Sequence, residues 1–145
     1  MAVDFFTHPI FLSCFIAVIA AQTLKAIFAW WRHGQFHWRY LFLSAGMPSS
    51  HTAAVTALSV SVFMTEGVST TFVAVLILSM IIVRDVIGDK NFARQQEELV
   101  NETFRQISEG NFDKIKWDDL IGHTVKEVVV GFVLGLVVAA SVFGA

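Results

Sequence analysis

The sequence predicts an all-α fold: an integral membrane bundle of about four transmembrane helices with a cytoplasmic amphipathic helix. Three observations carry this expectation. Hydrophobic residues make up 55% of the 145 and charged residues 15%, well below the roughly 25% charge of a soluble domain. Four apolar stretches each approach the length needed to cross a bilayer. All ten Lys and Arg fall in two stretches, Lys25 to Arg39 and Arg84 to Lys126. The length suits one domain over 1–145. A single cysteine, Cys14, rules out a disulfide scaffold. A net charge of −2 leaves no basic excess to hold a nucleic acid.

The first span runs from about Pro9 to Trp31, with Lys25 near its end. No basic segment precedes it, and its apolar stretch is too long for a signal-peptide core, so it reads as a retained helix. The second, about Pro48 to Thr65, is rich in Ala, Val, Ser and Thr. The third, about Val68 to Val83, stops at Arg84-Asp85. The fourth, about Val125 to Gly144, carries Gly131-x-x-x-Gly135 followed by Ala139 and Ala140. Such a small-residue face suits close packing against another helix, and a homo-oligomer is one way to use it. With four spans, the positive-inside rule places both basic connections in the cytoplasm and both termini outside. Within the second basic stretch, Phe92, Leu99, Val100, Phe104 and Ile107 recur at helical spacing among Arg94, Glu97, Glu98, Glu102 and Arg105. Gly110 is a stop signal. This is the amphipathic helix, expected to lie on the membrane or over the bundle.

Three pieces of sequence carry chemistry. Gly46-Met47-Pro48-Ser49-Ser50-His51 opens the second span, and a helix N-terminus with hydroxyls and an imidazole suits an anion such as phosphate. Gly122-His123-Thr124-Val125-Lys126-Glu127 opens the fourth. His123 and Glu127 share a helical face, so the carboxylate can fix the tautomer and free the other ring nitrogen as nucleophile or base. Lys25 and Arg32 lie seven apart on the first helix, and two cations can clamp phosphoryl oxygens. Taken singly, each also fits an ordinary role: a capped helix, a surface His–Glu pair, or cations snorkelling to the interface. Topology brings all three to the cytoplasmic ends of their helices, which makes a phosphoryl-transfer site. Asp85 and Asp89, four apart at the membrane surface, could hold Mg2+ beside a phosphate or act only as a cap and a solvated charge.

Gly46–His51 together with Gly122–Glu127 resembles the divergent PAP2 family, related to acid phosphatases and vanadium-dependent haloperoxidases. The resemblance runs from about Lys25 to Leu136. The wider superfamily carries the motifs K-x6-R-P, P-S-G-H and S-R-x5-H-x3-D. Lys25 to Arg32 matches the first, with His33 in place of Pro. Pro48 to His51 matches the second, with Ser50 in place of Gly, and His123 to Glu127 matches H-x3-D with Glu in place of Asp. The resemblance implies that His123 is a nucleophile forming a phosphohistidine, that Glu127 orients it and that His51 protonates the leaving alkoxide. It implies that Lys25, Arg32, Ser49 and the Ser50 amide bind the phosphate, and that no metal is needed. Trp117, flanked by Lys116, stands where the third motif has its Arg. Arg84, Lys90 and Arg94 are the candidates to supply that cation.

These readings predict a membrane phosphatase acting on a lipid phosphomonoester, with its active site facing the cytoplasm. The headgroup would enter from the interface while the tails stay in the bilayer. Phosphatidylglycerophosphate, phosphatidate and polyprenyl (di)phosphate are the candidate substrates, and a cytoplasmic site leans to the first. The rival is a catalytically inactive protein that binds anionic lipid or assists assembly. A transporter is disfavoured, because apart from Lys25 and His8 no ionisable side chain lies well inside a span.

Overall fold

The computed structural model describes residues 5–34, 46–107 and 123–144, with the side chains of Arg32, His33, Asp89, Lys90 and Asn91 excepted. Gly110, Lys116, Trp117 and Gly122 lie outside the described residues. A 3-10 turn, Phe5–Thr7, precedes four helices: α1 (Pro9–His33), α2 (Ser50–Glu66), α3 (Thr70–Ile107) and α4 (Val125–Gly144). Among the described residues there is no strand. The protein is therefore all-α, and α1, α3 and α4 are each long and apolar enough to cross a membrane.

Local signals explain the helix ends. Pro9 sits in the first turn of α1 behind His8, whose Nδ1 accepts from the Ile10 N–H at 3.3 Å. Gly34 closes α1 in the left-handed conformation (φ 69°), which glycine adopts without a Cβ clash. Ser49 caps α2, its hydroxyl accepting from the Thr52 N–H.

One element differs from expectation. The third span and the amphipathic stretch form a single 38-residue helix, α3, about 57 Å long at 1.5 Å per residue. Arg84-Asp85 marks where the helix meets a polar environment. It does not end the helix, because charge changes the solvent a helix prefers and leaves its backbone hydrogen bonds intact. The amphipathic residues are therefore a continuation of α3 and not a separate helix laid across the bundle.

α2 is the axis of the bundle and packs against α1, α3 and α4. Its 17 residues are rich in Ala, Ser and Thr, and these small side chains let its neighbours approach closely. The core is made of alanine: Ala17 and Ala21 of α1, Ala53 and Ala57 of α2, and Ala139 of α4. Large apolar side chains such as Phe15, Ile19, Leu78 and Phe132 point outward instead, as suits a protein whose solvent is lipid. Ser59 of α2 and Ser79 of α3 share a hydrogen bond at 2.9 Å. One hydroxyl donates to the other, which in turn donates to the backbone carbonyl one turn earlier in its own helix.

The glycine pair of α4 serves this packing. A Cβ at Gly131 would stand 2.5 Å from the Ser49 carbonyl oxygen, and one at Gly135 would strike the Ala53 carbonyl. The small-residue face that the sequence offers to a second copy is thus occupied by α2 of the same chain. Gly135→Ala should lower stability in detergent by about 1–3 kcal/mol, the usual range for overpacking. Gly144→Ala, where a Cβ meets nothing within 4 Å, should stay near wild type. Thermal unfolding of both variants reads this directly, and equal melting temperatures would remove the glycine seam from the account.

Candidate functional site

The starts of α2 and α4 lie side by side, because the Ser49 N–H donates to the Glu127 carbonyl across 3.1 Å. α1 and α3 reach the same level from the opposite direction. The Lys25 stem packs over Gly46, where a Cβ would come 3.4 Å from Lys25 Cγ, and Gly46 has φ 111°, which strongly favours glycine. The His123 N–H donates to the Val86 carbonyl of α3. All four helices therefore contribute to one end of the bundle.

Glu127 organises the start of α4. Its Oε2 accepts from the Thr124 N–H at 3.2 Å, while its own N–H donates to Thr124 Oγ1 at 3.4 Å. That reciprocal pair is a capping box. Thr124-x-x-Glu127 is the sequence signature for it, and reading the segment only as a His–Glu pair overlooks it. The same Oε2 lies 2.8 Å from His123 Nδ1. An ionised carboxylate accepts there, so Nδ1 carries the proton and Nε2 presents its lone pair.

His123 is buried, with 3% of its surface exposed. Burial pulls its imidazole below the ordinary histidine value, the hydrogen bond to Glu127 opposes this, and the positive fields of Lys25 and His51 add to the lowering. The ring is therefore neutral at neutral pH. His51 stands opposite on the second residue of α2, exposed, with its ring centroid 6.2 Å from that of His123 and the planes inclined at 63°. Ser49 and Ser50 are buried beside it. The Thr52 N–H is taken by Ser49 Oγ. Ser50 and His51 are the first two residues of α2, where backbone N–H groups have no partner within the helix.

Lys25 is also buried, with 3% exposed, within electrostatic reach of Glu127. Trp30 and Trp31, 54% and 83% exposed, follow it by five and six residues. They lie about 8 Å further along α1. Lys25, Ser49, Ser50, His51, His123 and Glu127 form one cluster at this end of the bundle. Arg84 lies two residues before Val86 with its side chain 86% exposed, 3.4 Å from Asp85. Arg94 is eight residues past Val86, about 12 Å along α3, and pairs with Glu98 at 3.3 Å, so it is not drawn to the imidazoles. The side chains of Arg32, Lys90 and Asp89 lie outside the described residues. Among the described residues no group of three metal-ligating side chains occurs.

The chain matches the divergent PAP2 family over residues 6–138. It is also 32% identical over 138 residues to the uncharacterized membrane protein YuiD of Bacillus subtilis (strain 168), covering 86% of this chain and 87% of the relative. No solved structure matches it. On the strength of a match spanning nearly the whole sequence, the protein belongs to the divergent PAP2 family.

Proposed function

We propose that this protein is a membrane phosphatase that hydrolyses a lipid phosphomonoester through a phosphohistidine on His123. The observation that carries the reading is the pair of imidazoles, 6.2 Å apart, with the Nδ1 of His123 held by Glu127 at the open start of α2. Nε2 of His123 attacks phosphorus as the ester P–O bond breaks. His51 gives a proton to the leaving alkoxide, which would otherwise be a poor leaving group. His51, now neutral, takes a proton from water, whose oxygen attacks the phosphohistidine, and inorganic phosphate leaves as the P–N bond breaks. Lys25, the Ser49 hydroxyl and the Ser50 N–H stabilise charge on the phosphoryl oxygens. Arg32, Arg84 and Lys90 are the basic residues proposed to complete that set in place of the Arg replaced by Trp117.

The site opens toward the cytoplasm in this reading. The described Lys and Arg all lie at the site end or beyond it on α3, whereas Glu66 closes α2 at the other end. Phosphatidylglycerophosphate and phosphatidate are the substrate classes that fit a site just inside that leaflet. Trp117 in the arginine position favours a second reading, an anionic-lipid binder that no longer turns over. The assay is phosphate release from phosphatidylglycerophosphate and phosphatidate in detergent. A phosphatase loses release entirely in His123→Ala. A binder retains lipid, releases nothing and shows no difference between the two proteins.

His51→Ala should slow hydrolysis of an alkyl phosphate by about 10²–10⁴-fold. It should slow phosphohistidine formation from p-nitrophenyl phosphate far less, because that leaving group needs no acid. Equal losses on both substrates would deny His51 the acid role. The charge state of His123 gives a further expectation. Burial holds its pKa below the ordinary histidine value, so the neutral nucleophile persists as pH falls through the usual histidine range and protonates only in more acid solution. An NMR titration comparing wild type with His123→Gln should show one imidazole titrating below the ordinary range. A His123 titrating in or above the ordinary range would contradict the buried neutral nucleophile.

A further inference from the structure

A groove of about 630 Å3 opens on the side of the bundle, walled by α2 and α3 with Phe132 of α4 beside it. Its walls include Val55, Val60, Leu76 and Met80. The rings of Phe63 and Phe72, with centroids 5.3 Å apart, close its far end near the α2–α3 turn. Arg84 stands at the other end. Along α3, Phe72 to Arg84 is about 18 Å. One leaflet of hydrocarbon is about 15 Å deep, half of the ~30 Å bilayer core. Ser59 and Ser79 lie in the wall, but they bond to each other and to a backbone carbonyl, so they present no unmet polar group to an apolar chain.

The Arg84 end of the groove lies toward the same end of the bundle as the candidate site. His51 precedes Val55 by one turn on the same stripe of α2. Val86, whose carbonyl takes the His123 N–H, follows Arg84 by two residues. An apolar channel one leaflet deep, with a guanidinium at one end and a pair of imidazoles beginning one helical turn beyond it on α2, has the charge pattern of a lipid phosphate. We propose that this groove holds a hydrocarbon chain of the lipid phosphate whose headgroup occupies the His51–His123 site, with the Phe63–Phe72 pair setting the chain length. The proposal rests on the phosphatase reading for the identity of that headgroup. In a bilayer the chain leaves one apolar medium for another, so burial supplies no driving force. The groove therefore selects by shape, and the headgroup supplies the affinity.

The test uses the full-length protein in phosphatidylcholine vesicles containing phosphatidate with a photoreactive group at the end of one chain. Crosslinks should collect on Phe72, Leu76 and Met80 about tenfold over Phe15 and Ile19 on the outer face of α1. Unlabelled phosphatidate should compete, and diacylglycerol with the same chains should not. Leu76→Trp should lower groove labelling about tenfold by filling the channel, with α1 labelling unchanged as the sign of an intact fold. Labelling of the groove no stronger than that of α1 would overturn the proposal. So would equal competition by diacylglycerol, which means bulk lipid, or a groove shielded from the probe by another part of the chain or a second copy. The crosslinking needs no turnover, so on the wild-type protein it reads chain binding separately from phosphate release. Groove labelling with no phosphate release from wild type would leave the chain site standing and remove the phosphatase reading alone.

Discussion

The close approach of α2 and α4 is the contact on which the rest of the structure depends. Gly131 and Gly135 let the α4 backbone press against the carbonyls of Ser49 and Ala53. No side chain of any size fits between them. That approach sets the two helices in register, with the start of one beside the start of the other, and the Ser49–Glu127 backbone bond follows from it. Two helix N-termini side by side put two positive dipole ends in one place. The Glu127 carboxylate answers the α4 end, which leaves the start of α2 as the place where a second negative group is favoured.

Glu127 links that packing to chemistry. One carboxylate closes the first turn of α4 and holds the His123 ring. The substitution of Glu for the superfamily's Asp has a physical reason here. Glu at the third helical position has the length to reach back to the cap residue's N–H, which is why capping boxes use Glu or Gln. Lys25 is buried close to that carboxylate, and an intramembrane cation is tolerated when it faces the bundle interior and has an acidic neighbour. The charged groups are costly singly and acceptable as a mutually compensating set. A phosphatase and an anionic-lipid binder would share this geometry. They differ in whether enough positive charge surrounds the phosphoryl group to stabilise its transition state.

Much of the fold was legible in the sequence, because hydropathy and charge report directly on the solvent each segment meets. Four apolar stretches, their approximate ends and the grouping of all Lys and Arg into two stretches of chain needed no coordinates. The Ser49 cap was visible as a residue type before an apolar run, and the capping box at Thr124 and Glu127 was equally visible, although the His–Glu spacing drew the eye first. The unity of α3 was not legible, since a charged pair in sequence looks like a boundary whether or not the backbone turns there.

Tertiary structure decided what meets what. The residues that could bind a phosphate were nameable from their types and helix positions, but their distances depended on helix packing. The Gly131–Gly135 face looked the same in sequence whether its partner was a second copy or α2, because a smooth surface carries no record of its mate. The apolar groove beside α2 had no sequence signature, since its lining residues read as ordinary lipid-facing positions until three helices were set at their actual separations. Local chemistry is written one residue at a time and can be read that way. Adjacency between distant segments is a property of the packed whole, set here by the few places where the absence of a side chain lets two backbones touch.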